Sequence, residues 1–265
     1  MNPVAVITGA SAGIGVELAR VFAANGHAVA LVARRGPRLD ALAAEIAAKK
    51  YAPALVLPVD LAQPDAGDRI AEALAARGFE PQYVVNNAGF GLVGRAADLD
   101  RDEQLAMIDV NMRALADLSL RFVESLVRHR GGLLNVASVA GVMPGPGSAV
   151  YYASKAFALS FTEALHRELG PKGVRVTCLC PGPVATEFQA RAGIAEAEAS
   201  WPLAVPAERV ATAAYRGLMR GQRIVVPGLG PKLVMALVPR LVPRGILLRR
   251  LEARQMKRGR QAGAA

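Results

Sequence analysis

Cysteine is nearly absent: the chain holds two, Cys178 and Cys180, both inside the run VTCLC. Strand alternation places them side by side on one face rather than in bridging geometry, so two buried thiols are expected and a disulfide framework is excluded. No second ligand pair stands at metal-binding spacing, and no metal site is expected. The three histidines, His27, His129 and His166, lie at element ends or on a helix without a partner constellation and are read as packing or surface residues. Apolar residues make up 52% of the chain, yet no uninterrupted run approaches the ~18–20 residues that a membrane-spanning helix needs. The opening MNPVAVITGA enters a strand pattern at once, without a basic stretch, apolar run and cleavage site in series. A cytoplasmic protein is expected. No recognisable nucleic-acid-reading module is present, so nucleic acid is not an expected partner.

Acidic residues are scarce in one place only. From Pro231 to the end the chain carries nine Lys or Arg against the single Glu252, which accounts for eight of its ten surplus positive charges. The preceding 230 residues are nearly neutral, so the basic character belongs to a tail and not to a domain.

Short β-rich runs alternate with helical segments rich in Ala and Leu. That pattern predicts an α/β fold, a Rossmann-like, doubly wound, seven-stranded parallel sheet with helices on both faces. Strands are predicted at 4–8, 28–34, 54–60, 83–87, 133–138, 174–180 and 223–227, and their unbroken apolar character fits strands covered on both sides. Helices are predicted over the IGVELARVFAANG run ended by Gly26, the PRLDALAAEIAAKK run opened by a proline, and 65–77, 101–130, 149–169 and 206–220. Without internal repeats or low-complexity linkers, residues 1–230 read as one domain. It includes a lid over Pro181–Val205, while 231–265 form a basic amphipathic extension.

The first βα junction reads TGASAGIG, with Gly9, Gly13 and Gly15 between a strand and a helix. Glycines there permit a tight turn and bring backbone amides close to a phosphate at the positive end of the helix. At the end of the second strand a nucleotide-binding fold places an acid for a ribose 2′-hydroxyl or a base for a 2′-phosphate. This chain has Arg34 and Arg35, whose forked donors match phosphate geometry, so NADP is inferred rather than NAD. Ser138 ends the fifth predicted strand, thirteen residues before Tyr151 in the helical stretch SAVYYASKAF. Tyr151 and Tyr152 lie four and three residues before Lys155, and both spacings bring a phenol toward the same ammonium. Periodicity does not choose between them. A phenol with its usual pKa near ~10 is a poor acid–base catalyst at neutral pH, and an adjacent ammonium lowers that value.

These motifs together resemble the short-chain dehydrogenase/reductase family over residues 4 to about 227: Thr8 to Gly15, Asp60 in VDL, NNAG from Asn86 to Gly89, Asn111 in DVNMRAL, Ser138, Tyr151 with Lys155, and PGPVAT from Pro181 to Thr186. The family's Tyr-x-x-x-Lys interval selects Tyr151 and leaves Tyr152 as a packing or pocket-wall residue. The resemblance implies that Ser138 and Tyr151 bind the substrate oxygen, that Tyr151 moves the proton, and that Lys155 lowers the phenol's pKa and binds the nicotinamide ribose. Asn111 would hold a water relaying protons from Lys155. Cofactor contacts are implied at Thr8, Gly9, Ser11, Gly13, Ile14, Gly15, Arg34, Arg35, Asp60, Leu61, Asn87, Ala88, Gly89, Tyr151, Lys155, Pro181, Gly182, Val184 and Thr186. The implied activity is NADP(H)-dependent interconversion of a carbonyl and a secondary alcohol, with NAD the less favoured cofactor. A homo-oligomer, dimer or tetramer, formed through the helices near 101–130 and 149–169, is implied as well.

Substrate choice is expected to rest with the lid and the loop GVMPGPGSAV. Phe188, Ile194, Trp201 and Leu203 suit an apolar or lipid-like substrate or else only pack the lid, and Arg191 is the nearest group for a charged one. In the tail, Leu and Val alternate with Arg, and Pro239 and Pro243 are expected to interrupt any single helix. Such a segment packs over the cleft or a neighbouring subunit, or lies in a membrane interface as a peripheral contact. A rival class is a non-catalytic dinucleotide sensor that binds a partner, nucleic acid or membrane through this tail. It would carry a damaged catalytic set, whereas Asn111, Ser138, Tyr151 and Lys155 are all in place.

Overall fold

The computed structural model describes residues 1–194 and 204–262. Trp201, Leu203 and the AEAEAS stretch of the expected lid lie outside the described residues. Seven strands, β1 (Asn2–Thr8), β2 (Val29–Ala33), β3 (Ala54–Pro58), β4 (Phe79–Asn86), β5 (Gly132–Val136), β6 (Arg175–Leu179) and β7 (Ile224–Val225), form one sheet in the order β3-β2-β1-β4-β5-β6-β7. Every pairing is parallel. The chain winds outward from β1 to β3 and then returns to the far side of β1, so the order reverses between β1 and β4. That reversal opens a crevice at the carboxyl ends of the strands, where ligands bind in such sheets.

Alternation along the strands feeds two apolar layers. Ala5, Ile7, Leu31, Val85 and Leu134 face α1 (Gly13–Ala24), α2 (Gly36–Ala48) and the helix Ala207–Met219 through Leu18, Phe22, Leu39 and Leu218. Val4, Val6, Val32, Val84 and Leu133 face α3 (Ala66–Ala75) and the helices that follow, through Ile70, Leu74, Leu118, Leu126 and Leu165. Both faces are thus covered, which is why the strands read as continuous apolar runs.

The helix expected over 101–130 is segmented. Asp100 caps α4 (Arg101–Ile108) by accepting from the Glu103 amide at 2.8 Å. A π-helical turn, Asp109–Ala114, follows, then α5 (Leu115–Arg121) and α6 (Val123–Arg128). The widened turn carries buried Asn111, whose side chain is drawn to the backbone of Phe90. The helix α7 (Ala149–Leu169) runs unbroken for 21 residues and carries Tyr151, Tyr152 and Lys155.

Among the described residues, the stretch from Pro181 contains the short helix Phe188–Arg191, and the tail folds as two helices, Leu229–Leu241 and Arg244–Ala262. They part at Val242, which is extended (φ −96°, ψ 119°) before Pro243, as a residue preceding proline favours. Pro239, expected to interrupt the helix, is instead carried within the Leu229–Leu241 helix near its end. No helix among the described residues is long and apolar enough to cross a membrane.

Candidate active site

A cavity of about 750 Å³ opens at the carboxyl ends of β1, β2, β4, β5 and β6. The glycine-rich turn forms one end. Gly9 (φ +67°) and Gly13 (φ +54°) take left-handed conformations, and both approach neighbours closely. A Cβ on Gly9 would stand 2.8 Å from Asn87 Nδ2 and one on Gly13 2.9 Å from Thr186 Cγ2, so side chains there would fill the cradle between the turn, Asn87 and Thr186. Ser11, Ile14, Asp60, Leu61, Asn87, Ala88 and Gly89 line the same end with Arg34 and Arg35. Arg35 donates through Nε and Nη2 to Ser11 Oγ at 3.2 and 3.1 Å, tying the second strand's end to the turn. This cradle fits a dinucleotide: backbone amides at a helix start, flexible turn geometry and guanidinium groups beside it.

Three expected site residues lie behind the cavity wall. Thr8 is buried, and its hydroxyl donates to the Val85 carbonyl at 3.2 Å while accepting from the amides of Asn87 and Ala88 at 3.0 Å each. It shapes the wall by fixing β1 to the end of β4 and does not line the cavity. Gly15 likewise faces inward, where a Cβ would come 2.1 Å from the Gly9 carbonyl oxygen; it allows α1 to start under the turn. Asn111 Oδ1 accepts from the Phe90 amide at 3.1 Å, and its Nδ2 donates to Phe90 O at 2.9 Å and Ser154 Oγ at 3.0 Å. A Cβ on Gly89 would stand 3.0 Å from Asn111 Oδ1 and 3.4 Å from Lys155 Nζ, so these two polar atoms approach one another across that glycine.

Away from the glycine turn, Ser138, Tyr151 and Lys155 line the same cavity, and Pro181, Gly182, Val184 and Thr186 line it as well. Ser138 stands two residues beyond the end of β5, and its Oγ accepts the Ala140 amide at 3.1 Å. Lys155 is buried and donates to the Val136 carbonyl at 2.9 Å. Burial lowers its pKa to about 8. The lowering of the Tyr151 pKa expected from Lys155 is overturned here: burial pushes the phenol up to about 12, opposed by a hydrogen bond from Ser138. The ammonium is 5.9 Å from the ring centroid, and desolvation of a phenolate outweighs its attraction at that range. The phenol is therefore a neutral proton donor at neutral pH. Tyr152 stacks edge-on to Tyr151 at 6.0 Å and covers Gly145, where a Cβ would come 2.2 Å from its ring.

Apolar groups close the remainder: Phe90, Leu92, Val93, Met143, Phe188 and Ile194 from the body, and Pro231, Val234 and Leu251 from the tail. Phe188 packs against Tyr151 at 5.4 Å. Arg191, a candidate for charged substrates, is already engaged bidentately by Glu103 at 3.0 Å and stacked over Phe90 at 4.8 Å. Sequence reasoning missed Glu187 and Arg38; packing of the tail over the cleft was one of the alternatives it offered, and Pro231, Val234 and Leu251 do line the cavity. Glu187 sits in the wall and accepts from Arg35 at 2.8 Å and also from Arg38. Nothing in the local spacing signals partners about 150 residues apart.

Comparison with known proteins agrees with this geometry. The profile described as short chain dehydrogenase matches residues 3–197. A sulfoacetaldehyde reductase from Chromohalobacter salexigens is 37% identical over 191 residues, covering 71% of this chain and 75% of that protein. A short-chain dehydrogenase from Sphingobium yanoikuyae, solved in complex with NADPH, superposes with a TM-score of 0.77 at 30% identity, covering 97% of this chain and 95% of that one. The bulky-bulky ketone specific alcohol dehydrogenase from Comamonas testosteroni superposes at 0.73 with 26% identity, covering 97% and 93%. With the glycine cradle, the serine, tyrosine and lysine at one cavity and these relatives together, the chain belongs to the short-chain dehydrogenase family, oxidoreductases that interconvert alcohol and carbonyl groups.

Proposed function

We propose that this chain is an NADP(H)-dependent reductase of an apolar or lipid-like ketone or aldehyde. The carrying observation is the two-ended cavity: Arg34 and Arg35 stand beside the glycine turn, while Ser138, Tyr151 and Lys155 meet an apolar wall at the far end. The reduced dinucleotide supplies the hydride. Tyr151, a neutral phenol, gives its proton to the developing alkoxide, and Ser138 holds the same oxygen by a hydrogen bond. Lys155, fixed by the Val136 carbonyl and 5.9 Å from the Tyr151 ring, would hold the nicotinamide ribose and place a positive charge near the phenol as the proton leaves. Asn111 retains one Oδ1 lone pair beside Gly89 and Lys155, where a relaying water would donate. The named preference of the Comamonas enzyme for bulky ketones and the NADPH bound by the Sphingobium enzyme support this choice for a chain of the same architecture.

NADPH oxidation against aldehydes and ketones of graded chain length tests it. Turnover is expected with NADPH above NADH and to rise with apolar size; turnover confined to small charged carbonyls, or no preference for NADPH, overturns it.

Two further parts rest on exposed apolar groups. Leu105, Ile108 and Leu120 are exposed along α4 to α5 at 43, 37 and 55%, which supports a homo-oligomer through these helices. In the tail, Leu229, Leu233, Leu237, Leu241 and Ile246 are exposed and interspersed with Lys232, Arg240, Arg244, Arg249 and Arg250. That mixture favours peripheral contact with an anionic membrane, at the rim of a cavity to which Val234 and Leu251 contribute.

A further inference from the structure

Arg35 and Arg38 already hold an anion between them. Glu187 Oε2 accepts from Arg35 Nη1 at 2.8 Å, and its other oxygen accepts from Arg38. The remaining donors of Arg35 are turned to Ser11, through Nε and Nη2 to Oγ and through Nη2 to the backbone carbonyl at 3.3 Å. Its fork is thus divided between the glycine turn and a carboxylate from the segment after β6. Glu187 follows Thr186, whose methyl lies against Gly13, so the carboxylate enters from the opposite wall. Hydrogen bonds from Arg38 and Arg35 lower its pKa, and it stays charged at neutral pH. The group is half-exposed and not a buried structural ion pair.

We propose that Glu187 is a specificity-determining residue that competes with the 2′-phosphate of NADP(H) for Arg35 and Arg38. This inference rests on the assignment of Arg35 to that phosphate. Two anions do not share one guanidinium pair without repulsion. A phosphate arriving at Arg35 must displace the carboxylate, whereas a bare 2′-hydroxyl has no such need and is itself a donor that a carboxylate accepts. Glu187 therefore lowers the chain's preference for NADPH over NADH below what its arginines alone would give. Its release would also uncouple the 181–194 segment from the end of β2, since the only bonds described between Glu187 and that region are these two ion pairs. Because the pair is solvent-accessible, the effect is modest: about three- to tenfold in relative affinity, the scale of an exposed ion pair plus the removed repulsion.

The test uses the full chain and Glu187→Gln, with calorimetric titration of adenosine 2′,5′-bisphosphate and 5′-AMP, repeated with NADPH and NADH. Thermal melting checks that the variant is folded. The ratio of the 5′-AMP to the 2′,5′-bisphosphate dissociation constant is expected to rise at least about threefold in the variant, as is the NADH to NADPH ratio. Unchanged or falling ratios overturn the competition. An equal tightening of all four ligands does so too, because it would report general opening and not competition for a phosphate. Arg35→Gln separates this from the cofactor assignment. If wild type and Arg35→Gln bind NADPH and NADH alike, the NADP assignment fails. If Arg35→Gln lowers NADPH affinity selectively while Glu187→Gln changes nothing, only the role of Glu187 fails.

Discussion

Lys155 holds its ammonium 5.9 Å from the centroid of the Tyr151 ring, on the α7 turn that follows the tyrosine and anchored at 2.9 Å to the Val136 carbonyl at the end of β5. Helix and sheet are thereby fixed to one another at the point where a proton must move. Tyr152 points instead toward Gly145, and its ring is in the way of any Cβ there. Tyr151→Phe is expected to lower turnover by at least roughly 100-fold with little change in nucleotide affinity, the usual scale of losing a general acid. Tyr152→Phe should keep most of the activity. Steady-state kinetics with nucleotide titrations decide this, and equal losses in both variants would reverse the assignment.

The pH dependence follows from the two shifts. Lys155 is depressed to about 8, so its positive charge is present below that pH and lost above it; Tyr151, raised to about 12, stays protonated over the whole accessible range. Carbonyl reduction should be level below the lysine's pKa and decline above it, with one limb near pH 8. In Lys155→Gln that limb should disappear along with most of the activity. A limb that persists in the variant would assign the titration to another group.

Thr8 separates a wall-building role from a cofactor contact. Its hydroxyl oxygen is the acceptor for two backbone amides; replacing it with a methyl takes the acceptor from the buried Ala88 amide, at about 1–3 kcal/mol, while the Asn87 amide keeps the Val85 carbonyl at 3.1 Å. Thr8→Val should lower the melting temperature by several degrees and reduce nucleotide affinity only as the Asn87–Ala88 wall shifts. Thr8→Ser, which keeps the oxygen, should restore both. Full stability with a selective loss of nucleotide binding would return Thr8 to the cofactor's contact set.

Legibility in the sequence tracked the distance over which chemistry is decided. The glycine turn lies between adjacent elements and one stretch of α7 carries Tyr151, Tyr152 and Lys155, so short spacing brought a phenol toward the ammonium, while the choice of Tyr151 over Tyr152 came only from the family resemblance. Thr8 was misread because β1 is buried on both faces, and a strand without a polar side gives no clue to which way a hydroxyl points. The direction of the Tyr151 shift depended on how deeply the phenol is buried, which spacing does not state. Glu187 was invisible since its partners come from α2 and the residue before it. The tail's composition was plain, but its return over the cavity depended on a bend at Val242 and on close packing of Gly147 against Gln255, where a Cβ would come 2.6 Å from the helix.

That packing makes the tail part of the cavity wall. Leu251 and Val234 supply apolar surface to the cavity, and Gly147 (φ +80°) admits the last helix only because it has no side chain. Leu251→Ala should enlarge the site and raise kcat/KM for the bulkier ketones of a graded series relative to the small ones. Gly147→Val, which is strained at that backbone angle and collides with Gln255, should loosen the helix and erase discrimination by size. An unaltered size profile in both variants would place the tail outside the substrate's reach.

The outer face of the tail gives the last test. Leu229 and Leu241 are exposed at 80 and 71%, and between them Leu233 and Leu237 continue the apolar row with Lys232 and Arg240 beside it. From Leu229 to Leu251 the sequence carries no acid, so a second copy approaching through the same face would bring like charges together, while an anionic headgroup layer complements them. Each cation near such a surface contributes about 1 kcal/mol, and inserted leucines add apolar burial. The full chain should therefore float with vesicles containing phosphatidylserine and remain behind with phosphatidylcholine alone, and raised salt should weaken the binding. The double variant Leu233→Glu with Leu237→Glu should lose flotation yet reduce soluble ketones as wild type does, since neither side chain lines the cavity. Flotation that survives the double variant would locate any lipid contact elsewhere. A row that instead drives concentration-dependent dimerisation, abolished by the same variant, would assign the face to a second subunit.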